Sequence, residues 1–189
     1  MPTRPSRRVS GPVALTGTPG VGKSSVARHL PRTLRAVEVG ELARSLGAAR
    51  GRGRAVTVDL AALRRALARR PSGEGPEVVV GHLAHLLAVR EVILLRCHPT
   101  ELERRLRAAR RGRATDRRAN YVSEATDAIL LEALATRRPV FEIDTTGRSA
   151  RAIAREVASR VRRGGPPRYG TVDWLREAEV TEHLLDGAA

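Results

Sequence analysis

The sequence predicts a three-layer α/β/α fold on a five-stranded parallel sheet. Three observations predict it. Short, almost wholly apolar runs alternate with helix-patterned stretches along the chain. The runs lack the in–out alternation of a half-solvated strand, so both faces of the sheet are expected to be covered. After the first run, Gly17-Thr18-Pro19-Gly20-Val21-Gly22-Lys23-Ser24 fits G-x-x-x-x-G-K-[ST] between a strand and a helix. Together they predict a P-loop NTPase architecture.

Residues 1–10, with Arg4, Arg7 and Arg8, read as a basic disordered tail. Residues 12–16 form the first strand, and a helix over 24–30 ends at Pro31. A second strand over 36–39 leads into a short helix over 41–46. Residues 47–54 are small, glycine-rich and basic, hence a flexible loop. A minor strand over 56–58 precedes Asp59, a natural cap for a helix over 60–69. Residues 71–76 are a loop. The third strand runs over 77–80 and the fourth over 91–95. Thr100 is expected to cap a helix reaching Arg110. A basic break over 110–118 precedes a second long helix over 121–135. The fifth strand is 139–143, followed by a helix over 148–162. A Gly/Pro linker over 164–170 then leads to a small terminal helix over 172–185, centred on Trp174. The expected organisation is therefore a tail (1–10), one domain (11–163) and a linker with a C-terminal tail (164–189).

The 189 residues suit one domain, and 41% apolar content suffices for one core. No run of about 18 uncharged apolar residues exists, so no membrane span is expected. The first residues lack a signal-peptide core, because Gly17 to Gly22 interrupts the apolar run. The expected location is cytoplasmic. Cys97 is the lone cysteine, which excludes an internal disulfide. The formal charge of +15 favours a polyanionic partner, RNA foremost. Of the 35 Lys and Arg residues only Lys23 is lysine, so a GC-rich coding bias is the alternative source of the charge. Aromatics are only 2%, too few for base-stacking platforms, so any RNA contact should run through phosphates and weaken with salt.

The phosphate motif demands its residue types. The glycines let successive N–H groups curl toward phosphate oxygens, and the following helix adds its positive end. Lys23 reaches the outer phosphates, Ser24 offers a hydroxyl to Mg²⁺, and Ser25 follows. The one lysine of the chain occupies the one position where the motif requires it. A partner acid belongs at the end of a neighbouring strand, yet the strand over 77–80 ends Val80-Gly81-His82. Asp59 and Asp144 are the nearest substitutes by strand-end logic. His82 and His85 lie three apart, but no Cys or acid joins them in a metal-binding pattern.

The motifs, in order, resemble the adenylate kinase isoenzyme 6 family of archaea and eukaryotes. The loop GTPGVGKSS, the segment Val39-Gly40-Glu41-Leu42-Ala43-Arg44 and the segment Gly81-His82-Leu83-Ala84-His85-Leu86 carry the likeness. So do Arg111-Gly112 of a short lid over about 110–118, the loop Asp144-Thr145-Thr146-Gly147 and the tail Val172-Asp173-Trp174-Leu175. The likeness implies a nucleoside-monophosphate-kinase-like fold. It implies phosphoryl transfer from ATP to AMP with Mg²⁺, ATPase activity, and a role in small-ribosomal-subunit and rRNA maturation, with a small-subunit ribosomal protein and rRNA as partners. A monomer is expected. By the same likeness, Gly17, Pro19, Gly20, Val21, Gly22, Lys23, Ser24 and Ser25 would hold the donor phosphates, and Ser24 the metal. Lys23, His82 and Arg111 would be catalytic. Arg44 would clamp the AMP phosphate, Arg107 and Arg111 would close from the lid, and Thr146 would lie by the donor adenine. Val80 departs from the family, which usually has Asp or Glu there, and Arg113 stands where an aromatic is usual. Two alternatives stay open: a nucleotide-gated RNA- or ribosomal-protein-binding assembly factor with little catalysis, and a P-loop kinase of another small molecule.

Overall fold

The computed structural model describes residues 11–50, 57–69 and 77–186. The expected basic tail (1–10), most of the glycine-rich loop (51–54) and the loop over 71–76 lie outside the described residues.

The chain runs β1 (Val13–Thr16), α1 (Lys23–Arg28), β2 (Ala36–Glu38), α2 (Val39–Ser45), β3 (Ala49–Arg50), β4 (Thr57–Val58), α3 (Leu60–Ala68) and β5 (Val78–Val80). It continues with β6 (Glu91–Arg96), α4 (Pro99–Ala108), α5 (Ala114–Ala125), α6 (Ala128–Ala135), β7 (Val140–Asp144), α7 (Ala150–Arg163) and α8 (Ala178–Asp186). The main sheet has the order β2-β5-β1-β6-β7, and every pairing in it is parallel. All five expected strands are present.

Alternate residues of the central strands serve two apolar layers. Val13, Leu15, Val78, Val80, Ile93 and Leu95 pack with Val26 of α1, Leu102 of α4, and Ile153 and Val157 of α7. Ala14, Val79, Val92 and Leu94 pack with Leu42 of α2, Leu63 of α3 and Leu130 of α6. Each such Val, Leu or Ile contributes about 1.5–3 kcal/mol by leaving water. Two-sided burial explains why the strands read as unbroken apolar runs.

Several boundaries differ from the sequence expectation. Ala49 and Arg50, expected in a loop, pair antiparallel with Val58 and Thr57. A two-residue strand is too short to show periodicity. Asp59 does cap α3, accepting from Ala62 N at 2.9 Å. The cap position of α4 is His98 rather than Thr100, because Pro99 opens the helix. The Thr100 hydroxyl instead donates to Glu179 at 3.4 Å.

The basic break is short, since α5 already begins at Ala114, where Asp116 accepts from Arg113 N at 2.8 Å. The long helix expected over 121–135 is two helices. Asp127 interrupts it in the left-handed region, φ 59°, and its carboxylate accepts from Arg96 Nη2 at 2.5 Å. A short polar side chain tolerates that conformation, and a buried guanidinium holds it there.

The segment over 164–170 is not a free linker. Arg168 N donates to Val140 O at 2.9 Å and Arg168 O accepts from Glu142 N at 2.7 Å, lining the edge of β7. The terminal helix over 172–185 is a 3₁₀ turn (Trp174–Arg176) followed by α8, because Glu177 between them is extended.

Candidate functional site

The site lies where β1 ends. Gly17 leaves the sheet with φ 138°, and a Cβ there would sit 2.3 Å from Leu95 O. No other residue fits that exit without moving β6. The loop passes under α4, where a Cβ on Gly20 would meet Leu102 at 2.7 Å. Gly22 then precedes α1, whose unpaired N–H groups open beside the loop. A cavity of about 540 Å³ follows, lined by Pro19, Gly20, Val21, Gly22, Lys23, Ser24 and Ser25. Arg105 and Arg111 approach it from α4 and the turn after it, and Thr145 and Arg148 from the turn after β7.

Lys23 Nζ donates to Gly17 O at 2.6 Å and to Thr18 O at 2.9 Å, so the ammonium is held over the loop. Burial pulls its pKa down to about 8, against the partial opposition of Glu38 and Glu124. Both acids lie far from the motif in sequence and were missed there. Glu38 ends β2 and stands in register with Val80 of β5. Val80 itself is fully buried in an apolar layer. The acid absent from the end of β5 is thus present on the adjoining strand. Asp59 is engaged as the cap of α3, and Asp144 accepts from Thr146 N at 2.9 Å and Thr146 Oγ1 at 2.6 Å.

His82 is exposed beyond β5. Partial burial and the charge of Lys23 hold its ring below the usual imidazole range, so it is neutral near pH 7 and free to accept a proton. His85 is fully buried. Its Nε2 faces Glu132 at 3.1 Å and its Nδ1 faces the Thr16 hydroxyl at 3.0 Å. A carboxylate only accepts, so Nε2 carries the proton and Nδ1 accepts from Thr16. His85 therefore ties β1 to α6. Among the described residues no cluster of three or more His, Cys, Asp or Glu could hold a metal ion.

The arginines divide. Arg105 Nη2 donates to Thr145 O at 3.1 Å on the cavity wall, while Arg107 pairs with Glu103 at 2.8 Å on the exposed side of α4. Arg105 thus stands at the cavity where the sequence pointed to Arg107. Arg44 is exposed on α2 and is not among the residues that line this cavity. Thr146 turns toward His98 N, from which its hydroxyl accepts at 2.8 Å, and its neighbour Thr145 lines the cavity. Cys97 is buried, with its thiol pushed up to about 11 by burial, so it is no nucleophile at neutral pH.

A parallel sheet of this order, carrying a complete phosphate loop and a lysine over it, defines a P-loop protein of the kinase type. Residues 13–128 match the family described as "AAA domain". Relatives named "Putative adenylate kinase" extend over nearly the full chain. That of Thermococcus onnurineus is 36% identical over 179 residues, covering 93% of this chain and 98% of the relative. That of Archaeoglobus fulgidus is 39% identical over 173 residues, covering 88% and 93%. That of Methanosarcina barkeri is 35% identical over 182 residues, covering 86% and 97%. A solved shikimate kinase from Bacteroides thetaiotaomicron aligns at 16% identity with a TM-score of 0.43, over 82% of this chain and 97% of that chain. The chain belongs to the adenylate-kinase-like P-loop family of these archaeal proteins.

Proposed function

We propose that the protein transfers the γ-phosphoryl group of ATP to AMP, giving two ADP, and hydrolyses ATP more slowly when no acceptor is bound. The observation that carries this reading is the cavity on Gly17–Ser25, with arginines converging on it from three directions. Phosphoryl transfer needs positioning and charge neutralisation more than covalent help. The loop N–H groups and Lys23 would hold the β- and γ-phosphates. Arg105, Arg111 and Arg148 would balance charge gathering on the transferring group, with Arg111 moving in from the turn after α4. Neutral His82 would orient the attacking oxygen or a water. Exposed Arg44 would take the AMP phosphate on the α2 side. Ser24 and Glu38 would be the oxygen donors to Mg²⁺. Held there, Mg²⁺ would supply further neutralisation of the phosphate charge.

On this proposal the chain is of the isoenzyme 6 type and has a second role in maturing small-subunit rRNA beside a small-subunit ribosomal protein. The charge of +15 favours that role, as does the exposed α7 face of Arg151, Arg155, Arg162 and Arg163.

The test is steady-state ADP formation from Mg–ATP, with and without AMP, in the wild type and Lys23→Ala. AMP should accelerate the wild type severalfold or more, and the variant should lose at least about a hundredfold. A rate indifferent to AMP but raised by small-subunit particles would replace the kinase reading with that of an assembly ATPase. An unchanged rate in Lys23→Ala would remove the site itself.

A further inference from the structure

Glu124 on α5 lies between the phosphate loop and the C-terminal segment. It is 2% exposed. Its Oε2 accepts from the Thr18 hydroxyl at 2.5 Å. Its Oε1 accepts from Arg96 Nε at 2.7 Å, Cys97 N at 3.1 Å and Trp174 Nε1 at 3.4 Å. One carboxylate thus divides its oxygens between the loop and the only tryptophan of the chain.

The Thr18 bond matters to the chemistry through its own peptide. Thr18 is fully buried, and its carbonyl is one of the two anchors of Lys23 Nζ. The path therefore runs Trp174, Glu124, Thr18, Lys23, with a hydrogen bond or one residue at each step. Arg96 binds the same carboxylate and also Glu142 Oε1 at 2.6 Å, while Glu142 Oε2 accepts from Thr171 N at 3.0 Å. The segment is fastened further along. His98 Nε2 lies 2.9 Å from Glu177 Oε2, and Arg118 donates to His183 O at 2.8 Å and Leu184 O at 2.7 Å. Trp174 and Val180 are buried against Tyr121 and Ala125 of α5. These fastenings sit at the cap of α4 and on α5, the helices on either side of Arg111.

We propose that the C-terminal segment from Thr171 to Asp186 is a strap that holds the phosphate loop in its nucleotide-binding form, with Glu124 as the positioning residue that passes strap docking to Thr18 and Lys23. The inference rests on the phosphate-site reading above. Phosphate oxygens compete with the Gly17 and Thr18 carbonyls for the Lys23 protons, so loop occupancy and strap docking share a bond network. Coupling is reciprocal: if the strap raises nucleotide affinity, nucleotide tightens the strap by the same factor.

Trp174 reports on this directly. Mg–ATP binding is measured two ways on the full chain, by equilibrium dialysis with labelled ATP and by Trp174 emission. In the wild type, emission should change saturably with the dialysis Kd. Thr18→Val removes a single hydroxyl and keeps the side-chain shape. It should still bind ATP by dialysis, about five- to tenfold more weakly, with the emission change lost. Glu124→Gln should behave alike, and Trp174→Phe should weaken dialysis binding by a similar factor. The strap is overturned if wild-type emission ignores saturating ATP, or if Thr18→Val keeps both affinity and emission change. Absence of ATP binding by dialysis in the wild type would instead overturn the phosphate-site reading, and the proposed coupling with it.

Discussion

Lys23 carries a buried charge beside a loop built to receive more charge of the opposite sign. Its free pKa of about 8 lies well below the ordinary 10.5, chiefly through burial. The sign follows. Charged Lys23 opposes folding at neutral pH, so its contribution to stability improves as pH rises from about 8 toward 10.5. Nucleotide binding has the opposite trend. A polyphosphate favours the ammonium and raises its pKa, so affinity should be flat below about pH 8. Above that, binding must take up a proton, and ATP affinity should fall by up to about tenfold per pH unit. Titrations of Kd between about pH 7 and pH 9.5 check this, and affinity unchanged to the top of that range would contradict the burial of the lysine. At this scale the motif was legible because eight adjacent residues carry it. Glu38, Arg105 and Glu124 were not, because each reaches the loop only through folding. Arg105 shares its helix with Arg104 and Arg107, and only the buried side of α4 (Leu102, Leu106) distinguishes it.

At the scale of elements, register decides what the site contains. β2 pairs with β5 so that Glu38 lies beside Val80. In-register neighbours in a parallel sheet present side chains on the same face, so Glu38 would, on the proposed reading, stand in for a carboxylate at the end of β5. Glu38→Gln should raise the Mg²⁺ concentration needed for half-maximal ATP binding by about tenfold, with little effect on ATP binding in the absence of the metal. A Mg²⁺ titration of nucleotide binding reads this without turnover, and an unchanged Mg²⁺ midpoint would remove Glu38 from the metal's surroundings. The five sheet strands were legible because both faces are buried and the runs are apolar throughout. The β3–β4 pair, the split at Asp127 and the edge pairing of Arg168 were not. The split at Asp127 and the edge pairing of Arg168 are made by long-range partners, Arg96 and β7, and the β3–β4 pair is two residues a side, with no local pattern to announce it. The pairing Glu38↔Val80 is of the same kind, since strand order is absent from local sequence.

At the scale of the whole molecule, three layers bring the phosphate loop, the α2 side with Arg44 and the C-terminal segment around one end of the sheet. Arg96 and Glu124 join the last of these to the first. Both are 2% exposed, and a buried network of this kind costs several kcal/mol to break from one side. Among the described residues no helix is long and apolar enough to cross a membrane. The fold and the relatives define an adenylate-kinase-like P-loop protein, and the fate of the γ-phosphoryl group decides the proposed activity. The direct measurement is the fate of label from γ-labelled ATP with Mg²⁺ and AMP, separated by chromatography, in the wild type and Lys23→Ala. Label is expected in ADP, as its new β-phosphate, from the wild type, with almost none from the variant. Label released wholly as inorganic phosphate, or transferred undiminished by Lys23→Ala, would contradict it.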